Sequence, residues 1–205
     1  PRIIVWDAIM GRGKTNRAIA MMNETQRRHE AACFGPAGEP EEPRFIYITP
    51  LLTEGERIRN ACPTLGFAAP ESIKGRKLLG FNHLIERGRN IVSTHALFQR
   101  INGDTLRLLR ERRYTLIIDE ALECVAPYPV SAQDFGMLAR QGFITKGEDD
   151  RVVWNDAGGA YAGRFEDVRR LCQEGSLLMP QDKVLMWQLP AEFLRQFETV
   201  YVLTY

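Results

Sequence analysis

RIIVWDAIMGRGKT, Arg2 to Thr15, is the stretch on which the fold turns. RIIVW at Arg2 to Trp6 is a β-branched run without alternation, which predicts a strand buried on both faces. Asp7 to Gly13 follow as a glycine-bearing turn. From Lys14 to about Ala31 the chain reads as a helix, with Ala18, Ile19 and Met22 on one face and Arg27, Arg28 and Glu30 near its end. AIMGRGKT at Ala8 to Thr15 fits the spacing GxxxxGK[ST], except that Ala8 replaces the first glycine. Gly11 and Gly13, flanking Arg12, let backbone amides turn inward around phosphate oxygens, and the helix amino terminus adds positive potential. At this spacing Lys14 is expected against the β- and γ-phosphates of a nucleoside triphosphate, ATP, with the Thr15 hydroxyl on Mg²⁺. A glycine turn that happens to precede Lys-Thr is the plain alternative. Strand, spacing and helix in that order weigh against it.

Outward from this stretch, strands and helices alternate. Strands are predicted at Phe45 to Thr49, stopped by Pro50, at Asn90 to Thr94 and at Tyr114 to Asp119. Helices are predicted at Leu51 to Asn60, Leu78 to Arg87, Ala96 to Ile101 and Thr105 to Arg113, with Pro63 to Lys77 as a loop. CFGPAGEPEEPR at Cys33 to Arg44, rich in Pro, Gly and Glu, reads as an exposed loop. This alternation predicts a doubly wound parallel sheet in an α/β fold. Val125 to Lys183 breaks the rhythm and is expected to be an insertion or subdomain. Helices are predicted there at Ser131 to Arg140 and Phe165 to Gln173, a strand at Arg151 to Trp154 and a turn at Gly158-Gly159. A strand at Val184 to Gln188, a short helix at Ala191 to Phe197 and a last core strand at Thr199 to Leu203 complete the pattern. Only Thr204 and Tyr205 follow that strand, so the chain is expected to be an amino-terminal piece of something longer, with a natural short protein as the alternative.

The fourth predicted strand ends in Asp119-Glu120. In a parallel sheet that end opens on the same edge as the turn after the first strand, where ligands bind. Asp119 is expected to hold Mg²⁺ and Glu120 to polarise an attacking water. An apolar strand followed by Asp-Glu is common by itself; the glycine turn upstream makes the pair informative.

Bulk properties narrow the class. The 205 residues, 44% hydrophobic and 26% charged, suit one substantial globular domain. Asp7 and Arg12 interrupt the first apolar run and no signal-peptide pattern is present, which implies a protein with no membrane segment, expected in the cytoplasm. The net charge of +1 argues neither for nor against nucleic acid. Arginines 100, 107, 110, 112 and 113 could form a basic face or a solvated helix surface. Cys33, Cys62, Cys124 and Cys172 form no CxxC pair and read as reduced thiols. His29 and Cys33, four apart, could share a helix face, yet two ligands do not make a zinc site.

AxxGxGKT at Ala8 to Thr15 followed by DEAL at Asp119 to Leu122 resembles motifs I and II of the superfamily 2 helicases and translocases. YITP at Tyr47 to Pro50 looks like motif Ia, VSTHA at Val92 to Ala96 like the motif Ib region, and LTY at Leu203 to Tyr205 stands where the family carries motif III. The ensemble is similar to phage-encoded helicase-like ATPases. The resemblance implies a P-loop, RecA-like domain that couples ATP hydrolysis to movement on DNA or RNA. It implies that Thr49, Pro50 and Thr94 touch a sugar-phosphate backbone and that Thr204 helps couple nucleotide to strand; ordinary strand-end chemistry is the alternative for each. His95 could lie near nucleotide or nucleic acid, or act as a hydrogen-bonded capping residue. The family's second RecA-like domain is absent from this sequence, and with it the arginines that complete the hydrolytic site, so weak turnover is expected. The ATPase of a viral DNA-packaging terminase, or a nucleotide-binding regulatory module with little turnover, would carry the same two motifs.

Overall fold

The computed structural model describes residues 1–9, 11–34, 40–120, 122–156 and 163–204. Met10, Ala121 and Tyr205 of the quoted motifs, the centre of the Cys33 to Arg44 loop and the expected Gly158-Gly159 turn lie outside the described residues. In chain order the elements open with β1 (Arg2–Asp7), α1 (Lys14–Cys33), β2 (Phe45–Thr49), α2 (Leu52–Ala61), α3 (Lys77–Glu86) and β3 (Ile91–Thr94). Next come α4 (His95–Phe98), α5 (Gly103–Arg110), β4 (Thr115–Asp119), β5 (Val125–Pro127), α6 (Ala132–Arg140), β6 (Ile144–Lys146) and β7 (Val152–Trp154). The chain closes with α7 (Glu166–Gln173), β8 (Leu177–Gln181), β9 (Val184–Gln188), α8 (Ala191–Leu194) and β10 (Thr199–Thr204). Two compact units result, residues 1–122 with 192–205, and residues 123–191.

The first unit is an α/β unit on a five-stranded parallel sheet of order β1-β10-β4-β2-β3. In register, Ile4, Tyr201, Ile117, Tyr47 and Val92 form one row across the sheet. Side chains two residues apart share a face, so Leu203 and Asp119 lie on the same side as this row, one step towards the strand ends. Ala18 and Met22 of α1 and Ile58 of α2 bury that face together with Phe45, Tyr47, Val92, Ile117 and Leu203. The opposite face carries buried Ile46, Ile48, Ile91, Leu116, Ile118 and Val200, and Phe98 and Phe193 meet edge-to-face at 4.7 Å.

One expectation is corrected. β1 is not buried on both faces: Ile3 is 55% and Val5 56% exposed. It is an edge strand, with β10 as its single neighbour among the described residues. A continuous β-branched run signals a strand but carries no information on which strands flank it.

The second unit is built on an antiparallel sheet of order β5-β9-β8 and a separate β6-β7 hairpin. Its own core gathers Phe135 and Leu138 of α6, Val168 and Leu171 of α7, and Leu177 and Leu185 of the sheet. Ser131 caps α6 by accepting from the Asp134 amide at 3.0 Å. Among the described residues no helix is long and apolar enough to cross a membrane.

Candidate functional site

Parallel strands bring their carboxyl ends to one edge, and the chemistry-bearing residues of the first unit collect there. After Asp7 the chain turns through Gly11 at φ 80° and Gly13 at φ 77°, left-handed geometry that glycine adopts without Cβ strain. Gly13 is the N-cap of α1 and offers no side-chain cap, and the first turn of the helix holds no acidic residue. That terminus therefore has neither a side-chain cap nor an acidic residue of its own helix, which suits an anion. The Lys14 ammonium folds over the turn, donating to the carbonyl of Ala8 and, at 3.4 Å, to that of Ile9.

A cavity of about 260 Å³ lies against this turn. Gly11, Gly13, Lys14 and Thr15 form one wall, and Asp119 and Glu120 at the end of β4 form another. Asn16 and Arg57 complete it, two residues that motif spacing did not single out. Arg12, expected in the turn, is exposed and does not line the cavity. Ala8 serves through its backbone: its N–H donates to the Thr204 carbonyl at 3.2 Å, and its carbonyl receives Lys14.

Asp119 is 7% exposed. Its Oδ2 accepts from the Thr15 hydroxyl at 3.4 Å and from the Tyr47 hydroxyl at 2.6 Å. Burial pushes the Tyr47 hydroxyl well above its ordinary range, and the neighbouring carboxylate pushes it further, so Tyr47 is a fixed donor. Glu120 is exposed and holds a left-handed φ of 65°. Its amide donates to the Leu203 carbonyl at 2.9 Å, and Nε2 of His95 donates to the Asp119 carbonyl at 2.9 Å. The peptide group joining Asp119 to Glu120 is thus gripped at both its C=O and its N–H, which aims Glu120. Burial holds His95 below its ordinary pKa, against a smaller upward pull from its bond to the Asp119 backbone and from the carboxylates of Glu120 and Asp119.

The remaining expected residues lie at neighbouring strand ends. Thr49 pairs with Thr94 across β2 and β3. Thr49 is 1% exposed, and among the described residues its hydroxyl, like that of Ser93, has no hydrogen-bond partner. Thr94 caps α4, accepting from the Leu97 amide at 3.4 Å. Pro50 is exposed, and Thr204 ends β10 half-buried. His29 and Cys33 do share a face of α1, Nε2 to Sγ 3.6 Å.

A magnesium ion on a phosphate chain needs few protein ligands and keeps several waters. The Thr15 hydroxyl and the Asp119 carboxylate, already within 3.4 Å of each other, supply oxygens of the right kind. Among the described residues no group of three or more His, Cys, Asp or Glu side chains is set to hold a metal by itself.

Residues 125–187, inside the second unit, match the YonV middle domain family. The second unit is similar to that domain. Over 214 residues the chain is 36% identical to the SPbeta prophage-derived uncharacterized protein YonV of Bacillus subtilis (strain 168), an alignment taking in 100% of this chain and 48% of that protein. The chain therefore spans about half the length of the curated relative it matches. The family match does not extend to the cavity residues, all of which belong to the first unit.

Proposed function

We propose that the first unit binds Mg²⁺-ATP in this cavity as a P-loop, RecA-like domain and hydrolyses it, serving as the nucleotide-driven part of a helicase or translocase acting on DNA or RNA. The observation that carries the reading is the Thr15 hydroxyl 3.4 Å from the Asp119 carboxylate, between an uncapped helix amino terminus and a backbone-clamped Glu120. The amides of the glycine turn and the Lys14 ammonium would take the β- and γ-phosphate oxygens. A magnesium ion held near Thr15 and Asp119 would neutralise phosphate charge. Glu120 would accept a proton from a water whose oxygen bonds to the γ-phosphorus as the bond to the β–γ bridging oxygen breaks, leaving ADP and phosphate.

β10 gives the coupling role suggested for Thr204 a physical route. It runs between β1 and β4, its Thr204 carbonyl bonds the Ala8 amide, and its Leu203 carbonyl bonds the Glu120 amide. A shift of the phosphate turn would thereby reach Glu120 through one strand. The prophage origin of the relative agrees with a phage setting, and action on nucleic acid follows from the motif resemblance. The test is phosphate release from ATP with and without Mg²⁺ and single-stranded DNA or RNA. We expect slow, Mg²⁺-dependent release that Glu120→Gln abolishes; equal release by that variant would remove Glu120 from catalysis.

A further inference from the structure

We propose that Arg57 is a γ-phosphate ligand supplied by this same chain, so that the site reads a triphosphate apart from a diphosphate without an arginine from elsewhere; this rests on the nucleotide-binding reading above. Arg57 lies in α2, the helix that follows the end of β2, and lines the cavity with Lys14, Asp119 and Glu120. It is held from two sides. One NH₂ donates to Asn16 Oδ1 in the first turn of α1 at 2.7 Å, and the other donates to Glu54 Oε1 at 3.0 Å.

Two features set Arg57 apart from an ordinary surface arginine. An exposed pair with Glu54 one turn away needs no third partner. Here the side chain keeps Glu54 at one end of its fork and with the other reaches across to Asn16, in the helix whose amino terminus borders the cavity. Charge makes the same point. Among the described residues the basic side chains lining the cavity are Lys14 and Arg57 and the acidic ones Asp119 and Glu120, two of each. Without Arg57 the walls would carry one excess negative charge where a polyanion must enter. Guanidinium matches phosphate oxygens in pairs, and its bond to Asn16, a neutral acceptor, is weaker than one to a charged phosphate oxygen. The γ-phosphate would therefore draw the fork off Asn16, while Glu54 keeps the side chain oriented. An arginine acting in cis is a known solution in phosphoryl transfer.

The experiment is calorimetric titration of the full chain with Mg²⁺-ATP and with Mg²⁺-ADP, for wild type, Arg57→Ala and Arg57→Lys, with thermal melting as a fold control. In Arg57→Ala we expect ATP affinity to fall roughly ten- to a hundredfold, the range of a lost charged hydrogen bond, while ADP affinity changes less than about twofold. Arg57→Lys keeps the charge without the fork and should lie between, and it supplies the measurement if the alanine variant does not fold. An unchanged ATP-to-ADP ratio in the folded variants, beside normal wild-type binding, overturns the proposal and leaves the nucleotide reading standing. Wild-type chain that binds neither nucleotide overturns both.

Discussion

The Tyr47 hydroxyl donates a 2.6 Å hydrogen bond to Oδ2 of Asp119, from one strand to its neighbour within the parallel sheet. Tyr47 is fully buried and Asp119 nearly so, so the pair is shielded from water. Hydrogen bonds to charged groups contribute about 1.5–3 kcal/mol. Tyr47→Phe should lower the unfolding free energy by an amount in that range, measured by urea denaturation. In a double-mutant cycle with Asp119→Asn the two losses should not add. Strict additivity would show that the contact carries no energy.

His95 makes the site sensitive to acid. Its ordinary pKa is 6.5 and burial holds it lower in the folded chain. As pH falls through the ordinary value the unfolded chain takes up the proton first, so the contribution of His95 to stability is present above that value and is lost as pH falls through the folded value. Unfolding free energy should therefore drop more steeply between about pH 8 and pH 5 in wild type than in His95→Gln, which keeps a donor for the Asp119 carbonyl. Parallel pH profiles would contradict the depressed value.

Much of this is legible in the residues, for definable reasons. The Lys14 helix start, the strands at Phe45 and Thr115 and the strand-end position of Asp119 follow from local signals: glycine turns, apolar runs, motif spacing. The edge position of β1 does not, because Ile3 and Val5 look the same in a run whether or not a neighbouring strand and helix cover them. The sequence pattern does not mark β8: LLMPQ contains Pro180, which demotes a strand by pattern, yet the pairing with β9 shifts register between Leu178 and Gln181 and accommodates it. Tyr47, His95 and Arg57 acquire their contacts from residues 72, 24 and 41 positions away. His95 stood in a quoted motif and Tyr47 headed another, but only the register of β2 against β4 assigns Tyr47 its partner. No signal along the chain points to Arg57.

Glu120 is a non-glycine residue in the left-handed region, where an L side chain costs about 1–2 kcal/mol. Glu120→Gly relieves that strain, partly offset by the greater freedom of the unfolded chain. We expect a net gain of about 1 kcal/mol in unfolding free energy together with loss of ATP hydrolysis. A destabilised Glu120→Gly would mean that the carboxylate contributes more to the fold than its exposure implies.

Thr49 and Ser93 bury hydroxyls without partners among the described residues, and an unsatisfied buried group costs about 1–3 kcal/mol. Thr49→Val keeps the shape and removes the hydroxyl, so its melting temperature should equal or exceed that of wild type. A clear fall in melting temperature would reveal a partner for that hydroxyl.

Nucleotide binding at the glycine turn is the central claim, and titration of Mg²⁺-ATP into wild type and Lys14→Ala tests it most directly. Lys14 folds its ammonium over the turn, and its removal takes away the one lysine that lines the cavity among the described residues. Wild type should bind with Mg²⁺-dependent heat, and Lys14→Ala should show no binding while keeping its circular dichroism spectrum. Binding of Mg²⁺-ATP by Lys14→Ala as tight as by wild type, or none by wild type, would contradict the claim.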